Sequence, residues 1–217
     1  MSDTQSVRGK RGESPQANRA RWEERYKGGD LPWDNNRVVP FLARLVRTGV
    51  FQPPGPVLDL GCGPGNDARY LGKKGFDVTA VDLSAAALGI AATRLKRAGV
   101  LGRVRLVQAN ILELVRADVG AFMYGHDRGC FHCLAPRRRR LYPSVLHRLL
   151  RKGALFSLWT MGLDADREGG PYQIPAEEIR ELFSTGFEVV SQIVSSGGSR
   201  SNEGGCPTCL CTLFRCS

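Results

Sequence analysis

The sequence predicts an α/β protein: a seven-stranded, mostly parallel sheet with an antiparallel last strand, helices on both faces and a helical cap before the first strand. Three observations carry this expectation. Apolar runs of strand length alternate with stretches of helical periodicity, the pattern left by crossover connections in a parallel sheet. The run Val57-Leu58-Asp59-Leu60 has little polar relief, as in a strand buried on both faces. It then breaks into Gly61, Gly63 and Gly65, which carry no Cβ and reach φ > 0, so the backbone turns sharply and approaches a ligand before a helix starts near Asn66-Asp67.

Length and composition bound the rest. A chain of 217 residues holds one α/β domain with a substantial core and a tail. The seven cysteines are odd in number and irregularly spaced, and no apolar leader precedes the first charged residues. Neither a disulfide framework nor a signal peptide is expected, which points to the cytoplasm. No apolar run approaches the roughly 20 residues that span a bilayer, so no membrane partner is expected, and a monomer is. The net charge of +10 favours anionic partners without specifying any chemistry.

In chain order, residues 1–16 read as a mobile basic tail, rich in Ser, Gly, Arg and Lys. Residues 17–52 form the cap and 53–217 the sheet core of one domain, residues 17–217. In the cap a helix from Ala17 carries Trp22 and Tyr26 on one face and stops at Gly28-Gly29. Asp30-Leu-Pro-Trp-Asp34 follows, then a helix over Asn36 to Arg47 burying Val39, Leu42, Leu45 and Val46. Pro53-Pro54 separates cap from core. The second strand, Phe76 to Asp82, ends in an acid 17 residues beyond the glycine turn, where such folds receive ribose hydroxyls. Ser84 caps the helix Ala85–Ala98. Val104 to Ala109 is the third strand, followed by Asn110-Ile111-Leu112. A short fourth strand near Ala121–Tyr124, bounded by Gly120 and Gly125, leads to Asp127-Arg128-Gly129-Cys130-Phe131-His132 at the same sheet edge. Ala135 to Lys152 reads as a helix with Leu141, Val145, Leu149 and Leu150 inside, Ala154 to Thr160 as the fifth strand, and Gly162 to Pro175 as a loop. A helix from Pro175 ends by Gly186, and Phe187–Val194 pairs antiparallel with Thr208–Phe214.

A strand-glycine-helix unit serves NAD, FAD or S-adenosylmethionine. The turn lacks the G-x-G-x-x-G spacing that seats a pyrophosphate and places an acid, Asp59, at the strand end, which suits a ligand carrying an amine. Asp59-Leu-Gly-Cys-Gly-Pro-Gly65, Asp82 and Asn110-Ile-Leu112 resemble the first three motifs of class I S-adenosylmethionine-dependent methyltransferases. Trp22-Glu-Glu-Arg-Tyr26, Leu31-Pro-Trp-Asp34, Asp127 to His132 and Gly169-Gly-Pro-Tyr172 resemble the thiopurine, thiol and halide methyltransferase branch with its tellurite-resistance relatives. The resemblance implies a Rossmann-like fold and S-adenosylmethionine as cofactor, leaving as S-adenosylhomocysteine. It implies a cofactor site of Trp22, Tyr26, Trp33, Asp59, Gly61, Gly63, Gly65, Asp82, Leu83, Asn110, Ile111 and Asp127. Trp33, Arg128 and Tyr172 are expected against the acceptor, and Asp127, Arg128 and His132 to serve catalysis.

The acceptor this implies is a small soft nucleophile: a thiol, a chalcogen oxyanion or a halide. The rival readings are a methyltransferase acting on RNA or DNA, motivated by the tail and Arg137 to Arg140, one acting on another small-molecule nitrogen or oxygen, and a cofactor-binding regulator. Base methylation would call for an Asn or Asp-Pro-Pro-aromatic loop where Asp127-Arg-Gly-Cys stands, and a charge run is usually a solvated helix face. Cys206-Pro-Thr-Cys209-Leu-Cys211 has zinc-like spacing, yet Cys209 and Cys211 share a strand face and no second pair follows. They are expected to be structural thiols, with no metal.

Overall fold

The computed structural model describes residues 14–29, 31–161, 172–196 and 208–217. The tail ahead of Ser14, the Gly169-Gly170-Pro171 part of the loop motif, and Cys206 lie outside these residues. Seven strands form one sheet in the order β3-β2-β1-β4-β5-β7-β6. They are β1 Pro56–Leu60, β2 Asp77–Asp82, β3 Val104–Gln108, β4 Phe122–Arg128, β5 Leu150–Met161, β6 Phe187–Ser196 and β7 Thr208–Cys216. All neighbouring pairs up to β4·β5 are parallel, and β7 runs antiparallel to both β5 and β6. The helices are α1 Pro15–Gly28, α2 Pro40–Arg47, α3 Asn66–Lys73, α4 Ala85–Arg97, α5 Arg116–Val119, α6 Pro136–Arg139, α7 Tyr142–Leu149 and α8 Ala176–Phe183.

Two apolar layers sandwich the sheet. On one face, α2, α3 and α4 press Leu42, Leu45, Leu71 and Leu95 onto Val57, Val78 and Ala80. On the other, α7 packs Val145, Leu146 and Leu149, and α8 brings Phe183 against Phe156 of β5 and Phe214 of β7, with ring centroids 4.4 to 5.9 Å apart. Each such ring pair adds about 0.5–1.5 kcal/mol beyond the area it buries.

Several element boundaries differ from the sequence expectation, each for a local reason. α1 begins at Pro15, two residues early, because the Ser14 hydroxyl caps it by accepting the Ala17 N–H at 3.1 Å. α2 begins only at Pro40. Before it, Asp34 and Asn35 side chains accept the N–H groups of Asn36 and Arg37 and hold turns, with Asn36 at φ 57°. β4 is seven residues long and runs through Gly125, which does not break it. A Cβ there would sit 2.9 Å from the Phe156 ring, so the glycine serves tight packing within the sheet. The expected helix Ala135–Lys152 is two helices, since Pro143 at the start of α7 begins a new one. Leu141 is exposed at that joint, Tyr142 takes the inward position, and Leu150 already belongs to β5.

Candidate active site

The carboxyl ends of β1, β2 and β4 converge on the glycine turn. Gly61, Gly63 and Gly65 have φ of 67°, 51° and 78°, the left-handed region that the sequence anticipates. The turn is closely packed: a Cβ on Gly61 would lie 2.4 Å from Cys130 Cβ, and one on Gly63 2.8 Å from the Tyr26 hydroxyl.

Asp82 is buried beside this turn, accepting the Gly63 N–H at 2.8 Å and the Ser84 N–H at 2.9 Å. It fastens the end of β2 to the turn and to the start of α4. Ser84 in turn caps α4 by accepting the Ala87 N–H, as its place before the alanine run predicts. Leu83 turns its carbonyl to the Gln108 amide, 3.3 Å away. After β3, the Asn110 amide oxygen accepts the Leu112 N–H at 3.1 Å and its amide nitrogen donates to Glu113, with Ile111 buried beneath. An amide oxygen keeps a second lone pair for another donor.

Asp59 is the most telling group in the site. It is 2% exposed, and its Oδ2 has no hydrogen-bond partner among the described residues. Burial lifts its carboxyl to about 7 against the pull of His126, its cross-strand neighbour on β4. A buried carboxylate oxygen without a donor costs free energy that a bound ammonium would return.

The cap closes over this edge. Trp22, Tyr26 and Trp33 form a triangle with ring centroids 5.8 to 6.3 Å apart, and Tyr26 is buried. The Arg25 guanidinium lies 4.7 Å from the Trp33 centroid, so this ring already faces a cation. Glu23 of α1 accepts from Ser84 Oγ at 2.8 Å and from the Ala86 N–H at 3.2 Å, joining the cap to the start of α4.

The three catalytic candidates are each bonded within the protein. Asp127 is fully buried, and its oxygens accept the Cys130 and Phe131 N–H groups and the Tyr142 hydroxyl at 2.6 Å. Burial raises its carboxyl to about 6 despite these donors. With two of these donors in the turn after β4, the Asp127 carboxyl holds that turn. Arg128, expected against the acceptor, pairs through Nε with Asp67 at 2.9 Å and donates from Nη1 to the Arg37 carbonyl. His132 accepts the Met161 N–H on Nδ1 at 3.1 Å, so a neutral ring carries its proton on Nε2. Burial, with Arg139 adding to it, pushes the imidazole down to about 3. With Nδ1 engaged by the Met161 N–H, the neutral His132 ring offers its Nε2–H as a donor.

Tyr172 packs under the Arg139 guanidinium, 5.1 Å from its centroid, and its N–H donates to the His132 carbonyl. Arg139 itself is 2% exposed and bound to Glu178 at 2.7 Å, so the arginine run is not one solvated face. Cys209 and Cys211 are buried in β7. Sequence reasoning missed Asp67, which joins His126, Arg128 and the Val39 N–H in one buried cluster at α3. It also missed Arg94, at the basic end of a helix where a solvated charge is the default. Its guanidinium pairs with Asp34, beside Trp33, at 2.6 Å.

The model of the family described as thiopurine S-methyltransferase (TPMT) matches residues 17–201. A thiopurine S-methyltransferase of Pseudomonas paraeruginosa is 27% identical over 180 residues, covering 77% of this chain and 83% of that one. The rabbit (Oryctolagus cuniculus) enzyme of the same name is 34% identical over 85 residues, a match spanning 39% of this chain and only 35% of the rabbit enzyme. A solved structure described as the conversion of a disulfide bond into a thioacetal group during echinomycin biosynthesis superposes with a TM-score of 0.77 at 25% identity, covering 91% of this chain and 92% of that one. The N-methyltransferase NodS of Bradyrhizobium japonicum, solved with S-adenosyl-l-homocysteine, has a TM-score of 0.70 at 22% identity, covering 92% and 98%, and shares the fold. The chain belongs to the thiopurine S-methyltransferase family, a branch of the S-adenosylmethionine-dependent methyltransferases.

Proposed function

We propose that the protein transfers a methyl group to a small soft nucleophile, foremost a thiol that reaches the site as a thiolate. S-adenosylmethionine supplies the methyl group on an electrophilic sulfonium. The observation that carries this reading is the buried Asp59 oxygen left without a donor at the glycine turn, a place fitted to the ammonium of the cofactor's methionine end. Asp82, Leu83, Asn110 and Ile111 would meet the adenosine end. Trp22, Tyr26 and Trp33 would cover it and exclude water.

The acceptor class rests on what the candidate bases are doing. Asp127 already accepts from three protein donors, and a neutral His132 with Nδ1 engaged presents a proton on Nε2. An acceptor that needs no base at this edge is favoured, and a thiolate or another soft anion is already reactive. Its acceleration then comes mainly from alignment with the methyl group in a closed site. The relatives named for thiopurine S-methylation support sulfur as the attacking atom.

The test is turnover with S-adenosylmethionine against a panel of aromatic and aliphatic thiols, selenite, tellurite, iodide, an amine, a phenol and tRNA. Methylthio products formed faster from thiols of lower pKa support the proposal. Methylation confined to the amine, the phenol or tRNA refutes it.

A further inference from the structure

The segment from Trp33 to Val39 lies outside helix and sheet, yet four of its residues are bound to three core elements. Asp34 accepts two hydrogen bonds from the Arg94 guanidinium of α4, at 3.0 and 2.6 Å, and one from the Asn66 amide of α3 at 2.8 Å. Arg94 also donates to Asn66 at 2.9 Å, closing a three-residue ring of bonds. Arg69 of α3 holds the Asn36 side chain and carbonyl at 2.8 and 2.7 Å. Arg128 of β4 reaches the Arg37 carbonyl, and the Val39 N–H donates to Asp67.

Asp34 is the stitch nearest the aromatic triangle, since Trp33 precedes it. A bidentate guanidinium–carboxylate pair fixes distance and plane together, which a single charge contact does not. Water competes weakly here: the Asp34 side chain is 8% exposed and that of Arg94 24%. The Trp33 ring is therefore held in place against Trp22 and Tyr26 by a bond network behind it, and Tyr26 in turn rests on Gly63.

We propose that Asp34 and Arg94, with Asn66 between them, are a positioning pair for methyl transfer that sets the Trp33 ring against the cofactor site. They touch neither cofactor nor acceptor and act through that ring. The inference rests on the proposed role of Trp33 as a cover for the cofactor.

The experiment uses the full chain with Asp34→Asn, Arg94→Lys, Trp33→Ala, and the doubles Asp34→Asn/Trp33→Ala and Arg94→Lys/Trp33→Ala. Calorimetric binding of S-adenosylmethionine, steady-state kinetics with a thiol and ligand-free thermal melts are measured for each. Losing the ring's contact with the sulfonium weakens binding on the order of tenfold, so Trp33→Ala is expected to show that loss. Asp34→Asn and Arg94→Lys are expected to approach it, with KM for the cofactor raised and kcat at saturation within about twofold of the unmodified protein. Each double variant should bind no more weakly than Trp33→Ala alone, because the pair acts through the ring. Losses that add in full, or single variants with unchanged affinity beside a weakened Trp33→Ala, overturn the proposal. If Asp34→Asn does not melt cooperatively, Arg94→Lys and its double decide by the same comparison. Trp33→Ala binding with undiminished affinity refutes the placement of Trp33, and an unmodified chain that binds no cofactor refutes the functional reading itself.

Discussion

Protonation of Asp59 should make cofactor affinity depend on pH. Burial holds its carboxyl at about 7 in the ligand-free protein, well above the carboxylate range, so below that pH Asp59 carries a proton. Pairing with an ammonium requires the carboxylate and would return the group to roughly pKa 4, near the ordinary value. Linkage then weakens binding at pH 5 by about two powers of ten relative to pH 8, and close to one proton is released per ligand bound near pH 6. S-adenosylhomocysteine is the right probe, since it keeps the ammonium and lacks the sulfonium. The assay is calorimetry across pH 5 to 8 in buffers of different ionisation enthalpy, which together yield the proton count. The same group has the opposite effect on the ligand-free fold. A raised carboxyl stabilises fully below the unfolded value near 4 and loses that contribution as pH rises through about 7. The neighbouring groups are Asp67, His126, Asp127 and Arg128. Asp59→Asn separates them: it should bind more weakly at pH 8 and lose most of the slope. Affinity that is flat from pH 5.5 to 8, or a slope retained in Asp59→Asn, would refute the pairing of Asp59 with the ammonium.

Other outcomes depend on single contacts. Gly61→Ala places a methyl 2.4 Å from Cys130 Cβ at φ 67°, so urea unfolding should show a loss of about 2–4 kcal/mol. Tyr142→Phe removes the hydroxyl that donates to the buried Asp127, and the same measurement should show about 1–3 kcal/mol lost. Burial raises the Asp34 carboxyl, but donors from Arg94 and Asn66 outweigh it and hold it at about 2. Its contribution is present above pH 4 and disappears as pH falls through about 2, so acid unfolding of Asp34→Asn should be shallower there. Trp33→Ala should weaken S-adenosylmethionine more than S-adenosylhomocysteine, by about fivefold in the ratio of their Kd values, because only the former carries a cation.

The fold was legible because it rests on short-range pattern. Gly61, Gly63 and Gly65 announce a turn that only φ > 0 can make, Asp82 marks a strand end, and Ser84 caps the helix after it. Where the pattern misled, a local signal was overridden by a distant partner. Gly125 looks like a strand breaker until Phe156, 31 residues later, occupies the space its side chain would need. Arg139 looks like one of four solvated arginines until Glu178 pairs with it across the fold.

The same distinction divides the site. Backbone-defined parts, the glycine turn and the acids at strand ends, could be placed from the sequence, because their geometry depends on residues within a few positions. The partners of Asp127, Arg128 and His132 could not, because a polar side chain at a strand end faces either the ligand or the protein. Here Tyr142, Asp67 and the Met161 N–H bond to them within the protein. A buried polar group must be bonded, so their pairing leaves Asp59, whose Oδ2 is unbonded among the described residues, as the acid at this edge still in want of a partner. Its want of a donor, and not its proximity to the turn, is the ground for the proposed pairing with an ammonium.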